Sequence, residues 1–317
     1  MPTALDFEKP LMELENKIAE LTSFSQEKGL ELSGEIDNLR KRAEELKRSI
    51  FTNLSPWQKV QLARHPDRPN TEDYVKILFQ DFIELHGDRC YGDDPAILGG
   101  IGLFDGSAVT VVGHLRGRDT KENVNRNFGM AHPEGFRKAQ RLMLQAEKFR
   151  RPVVSFLDTR GAHYGVGAEE RGQCNAIAQN LLRMSTLRIP IIVIVIGEGG
   201  SGGALAIGVG DRILMQEHAV YSVINPEGCA SILWKDPARA REAAEALKLT
   251  AQDLLALGIA DEVIPEPLGG AHRDPEGAGA LLREALARNL KELSTATPEE
   301  LVARRYEKFR NVGAISG

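Results

Sequence analysis

Twice the chain runs from a continuous apolar stretch into a glycine-rich turn and on into a helical pattern. The first pass is Val153-Val154-Ser155-Phe156-Leu157, then Asp158-Thr159-Arg160-Gly161-Ala162-His163-Tyr164-Gly165-Val166-Gly167, then residues 168–184 with Ile177, Leu181 and Met184 at helical spacing. The second is Ile191-Ile192-Val193-Ile194-Val195-Ile196, then Gly197-Glu198-Gly199-Gly200-Ser201-Gly202-Gly203, then Ala204-Leu205-Ala206-Ile207. Runs of this kind are strands buried on both faces, which points to a parallel sheet and an α/β fold. The second turn holds five glycines in seven residues. Without Cβ atoms its N–H groups can come close to a ligand, and amides at a helix start favour negative charge. If the strands are parallel, both turns open at the carboxyl end of the sheet, where such folds bind ligands. Chemically the second turn reads as an oxyanion hole. Its other reading is a tight structural turn, and the presence of a second such turn weighs against that.

The 317 residues, 42% hydrophobic and 27% charged, suffice for a full α/β core and an appended element. A net charge of −5 argues against a general nucleic-acid binder. Cys90, Cys174 and Cys229 form no CxxC pair, so neither a zinc ribbon nor a thioredoxin-like site is expected, nor any metal on this chain. An odd number of cysteines suits a reducing compartment. The N-terminus lacks a basic region followed by an apolar stretch, and no apolar run approaches a membrane span. A cytoplasmic protein without membrane attachment is expected.

Leu11, Leu14, Ile18 and Leu21, and again Leu32, Ile36, Leu39, Ala43, Leu46 and Ile50, repeat at coiled-coil spacing on either side of Gly29. They predict a helical hairpin whose narrow apolar stripe needs another surface: the sister helix, the core domain or a partner chain. Prolines break residues 54–72, and a helix capped by Thr71 is expected over 71–85. Residues 97–104 and 108–112 flank Asp105-Gly106 as a hairpin. Arg116, Arg118, Lys121 and Arg126 then make a basic loop, suited to a phosphate-bearing ligand or to a solvated face. Further strands are expected near 211–215, 219–224 and 259–265, and a last amphipathic helix over 277–293.

Walker, HExxH and convincing GxGxxG motifs are absent. Gly199-Gly200-Ser201-Gly202-Gly203 does fit the G-x-S-x-G nucleophile elbow, with Asp261 and His272 following in hydrolase order. A serine hydrolase acting through Ser201 is therefore an alternative, although the surplus glycines fit a backbone site better. Glu169, Glu170 and Glu198 are candidate acids or bases, or simply residues that complement helix starts.

Longer strings carry a family resemblance. Ala63-Arg64-His65-Pro66 with Arg68-Pro69, Asn127-Phe128-Gly129-Met130, Pro133-Glu134-Gly135, Gly165-Val166-Gly167-Ala168-Glu169-Glu170-Arg171-Gly172-Gln173, residues 197–210, 226–235 and 264–273 resemble the carboxyltransferase alpha subunit of bacterial and plastid acetyl-CoA carboxylase. The resemblance implies a crotonase-like fold, a superhelix of ββα units, over 56–317, with the helical hairpin over 1–55. It implies transfer of a carboxyl group from biotin, held covalently on a separate carrier protein, to acetyl-CoA. The product is malonyl-CoA, in the first committed step of fatty acid synthesis. It implies a zinc-ribbon-bearing beta subunit in an alpha2-beta2 assembly, with the biotin carboxyl carrier protein and biotin carboxylase as further members. By resemblance the amides of Gly202 and Gly203 form the oxyanion hole for the biotin ureido oxygen. Gly199, Gly200, Arg160, Gly161 and Ala162 then border the substrate. On this reading Gly203→Val blocks biotin while leaving the fold largely intact.

One departure stands out. The family's first turn usually reads Asp-Thr-Pro-Gly-Ala-Tyr-Pro-Gly, whereas this chain has Asp158-Thr159-Arg160-Gly161-Ala162-His163-Tyr164-Gly165. Loss of both prolines frees the backbone and places Arg160 and His163 at the mouth, where Arg160 could face the carboxylate being transferred. The altered turn also leaves open a non-catalytic regulatory paralogue.

Overall fold

A computed structural model describes residues 5–29 and 31–313. Residues 1–4, the start of the segment from which no leader is expected, lie outside the described residues, as do Leu30 and residues 314–317. The expected hairpin is α1 (Lys9–Lys28) and α2 (Ser33–Thr52). Gly29 ends α1 at φ 64°, a left-handed cap that glycine adopts without strain. Its apolar stripe is not left for a partner. Leu11, Ala43 and Phe51 pack with Leu62 of α3 (Pro56–Ala63), and Leu268 joins them from the far end of the chain.

Helix α4 (Thr71–Leu78) is capped by Asn70, not Thr71, and is shorter than expected. The residues after it form an edge strand, β1 (Gln80–Glu84), antiparallel to β2 (Ile97–Phe104). β1 has no buried residue, so no alternation marked it in the sequence. β2 turns through Asp105 and Gly106, at φ 48° and 77°, into β3 (Ser107–His114). Two positive φ angles in succession suit the tight hairpin that the Asp-Gly pair predicts.

Then come α5 (Thr120–Asn125), α6 (Pro133–Lys148), β4 (Val153–Thr159), α7 (Val166–Glu170), α8 (Gln173–Thr186), β5 (Ile191–Gly200) and α9 (Ser201–Leu205). Gly172, at φ 82°, splits the expected single helix into α7 and α8. The remaining elements are β6 (Arg212–Gln216), β7 (Val220–Ser222), α10 (Pro226–Trp234), α11 (Ala240–Ala246), α12 (Ala251–Ala256), β8 (Glu262–Ile264), α13 (Pro275–Leu293) and α14 (Pro298–Asn311). The sheet runs β1-β2-β3-β4-β5-β6-β8 and is parallel from β3 onward. β5 changes partner along its length: residues 192–195 pair with β6 and residues 198–200 with β7. Ile191, Val193 and Val195 enter one core with α6 and α8, while Ile192, Ile194 and Ile196 enter the other with α4 and α13. Burial on both faces explains why β5 reads as unbroken hydrophobicity.

α14 was not foreseen, although Thr297-Pro298 with Glu300 is a capping box. Arg305 pins it to the core, donating to the carbonyls of Met184, Leu187 and Ile189 at 2.6, 2.8 and 3.0 Å and to both oxygens of Asp211.

A second buried pair braces the carboxyl end of the sheet. Arg68 donates to Glu266 at 2.6 and 3.0 Å and to the Ile196 carbonyl at 2.6 Å. Burial alone would raise the Glu266 pKa, but Arg68 outweighs it and holds the carboxyl at about 2, against an ordinary 4.5. A carboxyl depressed in the folded state adds stability above its unfolded pKa, and that stability is lost as pH falls from about 4.5 toward 2. Glu266→Gln leaves the Arg68 charge buried without a counter-charge, at a cost of about 3–5 kcal/mol. Urea denaturation at pH 7 is expected to show this loss, and the difference from wild type should narrow below pH 4.5. An unchanged midpoint at pH 7 would show that the pair contributes no net stability.

Candidate active site

Both glycine turns leave the carboxyl ends of adjacent parallel strands, β4 and β5, as the sequence required. The two turns interlock through missing side chains. A Cβ on Gly203 would lie 2.2 Å from the Gly161 carbonyl carbon and 2.4 Å from the Ala162 nitrogen. A Cβ on Gly200 would lie 2.3 Å from the Arg160 carbonyl oxygen. These positions are glycine because backbone touches backbone there. The expectation that Gly203→Val preserves the fold is therefore overturned: even one carbon at Gly203 must push the turns apart. Gly202 differs, since the nearest atom to its Cβ position is Ile177 Cδ1 at 4.0 Å.

Gly199 and Gly200 are buried within β5, and a Cβ on Gly199 would meet the Tyr221 ring at 2.8 Å. Their absent side chains serve packing. Gly161 and Gly203 are buried at the junction, while Ala162 and Gly202 are partly exposed beside it. Among the described residues no carbonyl or side chain accepts the Ala162 N–H. The first amides of α9 likewise have no partner within the helix. Ser201 enters α9 at φ 53°, a left-handed conformation that costs a non-glycine residue about 1–3 kcal/mol.

Charged groups frame the junction. Arg64 grips Glu198 with two hydrogen bonds, at 2.8 and 2.7 Å, and reaches Glu227 of α10 at 2.5 Å. Burial acts to lower the Arg64 pKa, but the two carboxylates outweigh it and raise it. Glu198 is thus an ion-pair partner, not a free base. The Arg160 side chain is half exposed, and its Nε stands 3.6 Å from Glu198 Oε2. Arg64 and Arg160 thus share the Glu198 carboxylate, and the half-exposed Arg160 guanidinium also lines the cleft beside the junction. A cleft of about 510 Å3 lined by Arg64, Arg116, Arg118, Phe128 and Arg160 lies alongside. Half of the basic loop is absorbed in structure: Arg116 pairs with Asp158 and Arg118 with Asp73. Glu169 and Glu170 are exposed on α7.

Three histidines lie in or beside the turns. His163 lies against His132 with ring centroids 3.9 Å apart and the planes tilted by 44°, and burial lowers both their pKa values. His114 is fully buried, and burial pushes its imidazole down to about 4, so it is neutral.

The hydrolase constellation is not assembled. Asp261 accepts the Ile213 N–H at 2.6 Å and pairs with Lys308, while His272 Nε2 lies 3.1 Å from Glu8. Glu8, His65 and His272 place possible ligand atoms within 4.8 Å of one another. Arg273, however, donates to Glu8 at 3.2 Å, and His65 Nδ1 accepts the Asp67 N–H at 3.1 Å. Those groups read as a hydrogen-bonded clasp that ties the N-terminal segment to the core.

The architecture is shared with solved structures of low sequence identity. One is transcarboxylase 12S with methylmalonyl-coenzyme A and methylmalonic acid bound (TM-score 0.59, 20% identity, covering 71% of this chain and 42% of that one). Another is a Pseudomonas malonate decarboxylase hetero-tetramer in complex with coenzyme A (TM-score 0.57, 16% identity, 68% and 86% covered). The fold is thus the crotonase-like fold of carboxyltransferases, as expected. A family model described as acetyl co-enzyme A carboxylase carboxyltransferase-like matches residues 4–313. The chain is 59% identical over 313 residues to the acetyl-coenzyme A carboxylase carboxyl transferase subunit alpha of Heliobacterium modesticaldum, covering 99% of this chain and 93% of that protein. It is 58% identical over 316 residues to the same subunit of Halalkalibacterium halodurans, covering 100% and 97%. The chain belongs to this family of carboxyltransferase alpha subunits.

Among the described residues the structure brings together Arg160, Gly161, Ala162, Gly200 and Gly203, and leaves Ser201, Asp261 and His272 without mutual hydrogen bonds. Sequence reasoning assigned no role to Asp158, Arg64 or Tyr221. For Asp158 a signal existed: a glycine opposite it, at Gly197, leaves room for a carboxylate.

Proposed function

We propose that this chain supplies one half of a carboxyl-transfer site, in which the amides of Gly202 and Gly203 face carboxybiotin carried on a separate protein and acetyl-CoA is the acceptor. Carboxybiotin supplies the carboxyl group and, as that group leaves, a negatively charged ureido oxygen. The observation that carries this reading is the contact of Gly203 with Gly161 and Ala162. It locks the two turns backbone to backbone, which holds the Ala162 N–H and the first amides of α9 in place beside it. Preorganised N–H groups of this kind stabilise developing oxyanions in proportion to how little they must move. Arg160, half exposed and sharing Glu198 with Arg64, is placed to meet the carboxylate in transit.

Two anions must be held, the ureido oxygen and the thioester enolate, on opposite sides of the transferred carbon. One junction cannot serve both, so the second oxyanion site comes from a zinc-ribbon-bearing beta subunit in an alpha2-beta2 assembly. That assembly works with the biotin carboxyl carrier protein and biotin carboxylase in the cytoplasm. The elements that carry the junction and its charged frame also expose apolar residues, as such an interface requires: Tyr164 and Val166 in the first turn, Val223 before α10, and Ile232 and Leu233 on it. On this reading residues 1–55 are the appended hairpin and 56–317 the carboxyltransferase domain.

Malonyl-CoA decarboxylation by the chain assembled with a beta-type subunit tests the reading, because the reverse reaction needs a biotin acceptor. The rate should depend on added biocytin and survive Ser201→Ala, while Arg160→Ala should raise the KM for malonyl-CoA. Biocytin-independent turnover abolished by Ser201→Ala would instead establish the hydrolase.

A further inference from the structure

We infer that Asp158 is the positioning residue that holds the two glycine turns in contact, gripping Glu198 of β5 on one side and Arg116 on the other. The inference rests on the carboxyl-transfer reading. It begins in the β4–β5 ladder. From Leu157 to Thr159 β4 advances two residues, while from Val195 to Gly199 β5 advances four. A bulge of this kind leaves backbone groups on the longer strand without ladder partners, and buried groups must find partners elsewhere. Charged side chains provide them. The Glu198 N–H donates to Asp158 Oδ1 at 3.2 Å, and the Ile196 carbonyl accepts from Arg68 Nε at 2.6 Å.

The other Asp158 oxygen accepts from Arg116 Nε at 2.7 Å, and Arg116 in turn donates to the Ala63 carbonyl at 3.3 Å. Two glycines make room. A Cβ on Gly197 would lie 2.3 Å from Asp158 Oδ1, and one on Gly129 would lie 2.9 Å from the Asp158 carbonyl oxygen. Asp158 directly precedes Thr159, which pairs with Gly199, and stands two residues before Arg160, whose carbonyl touches Gly200. A displacement of Asp158 therefore slides the first turn along the second and opens the junction at Gly203. With 1% of its surface exposed, Asp158 acts through the backbone.

The test compares wild type, Asp158→Asn, Arg116→Gln and the double variant, each assembled with a beta-type subunit. Carboxylation of acetyl-CoA is measured per folded molecule, with folding followed by circular dichroism. Asparagine keeps an acceptor for the Glu198 N–H and loses the charge that fixes Arg116. The expected result is a kcat about ten- to a hundred-fold lower, as small misplacements of reacting groups produce, with the KM for acetyl-CoA unchanged within about twofold. The double variant should be no worse than the worse single variant, because both act through one contact. If Asp158→Asn does not fold, Arg116→Gln carries the same expectation. Unchanged kcat per folded molecule, or a loss confined to KM, overturns the inference and leaves the carboxyl-transfer reading standing. A wild-type assembly that transfers nothing overturns both.

Discussion

Gly203→Ala is expected to lower carboxyl transfer about a hundred- to a thousand-fold: the N–H stays, but the new carbon forces it out of place, with an effect like the loss of one oxyanion donor, about 2.7–4 kcal/mol. The added carbon would stand 2.2 Å from the Gly161 carbonyl carbon, an approach that only a shift of backbone can relieve. The same strain, about 1–3 kcal/mol for an overpacked site, should lower the thermal midpoint. Gly202→Ala is the matched control: its Cβ has ordinary van der Waals room, 4.0 Å from Ile177 Cδ1. It should keep the wild-type midpoint. Loss of activity in both variants, with loss of stability only at Gly203, separates the chemical role of the turn from its packing role. A Gly203→Ala enzyme with near-normal kcat would show that the interlocked junction is not where the anion is held.

Much of the candidate site was legible because its proposed chemistry resides in backbone, and backbone needs announce themselves as glycine. The unbroken apolar run of β5, the five glycines that follow Ile196 and the first turn at Gly161 sufficed to place two amide-bearing loops at one end of a parallel sheet. What glycine alone could not tell is why each one is there. Gly202 and Gly203 read identically in the sequence, yet Gly203 is squeezed between two backbones and Gly202 has open space. The separation depends on packing between turns some forty residues apart, which no local pattern encodes. The Asp158 brace was hidden for the same reason: its partners, Arg116 and Glu198, lie far from it in sequence. β1 was missed because an exposed edge strand lacks the alternation that marks a half-buried one. The hairpin stripe was read correctly as needing cover, but its cover is Leu62 and Leu268 of the same chain. Removing residues 1–50 should therefore uncover core side chains instead of simply detaching a partner-binding arm.

The account stands or falls on the site being shared between two chains. This chain offers one junction of free amides, a half-exposed arginine and no assembled acid–base triad among the described residues, together with a border of exposed apolar side chains that includes Tyr164 at 77% and Val223 at 78% exposure. On the proposed reading acetyl-CoA and carboxybiotin meet across that border, and neither subunit alone holds both anions. The most direct measurement is the initial rate of malonyl-CoA formation from acetyl-CoA and carboxybiotin, with the purified chain at fixed concentration and a beta-type subunit titrated into it. The expected result is no transfer by the chain alone, a rise with added partner and a plateau at equal numbers of the two chains. Transfer by the isolated chain at the rate of the mixture would contradict the shared site.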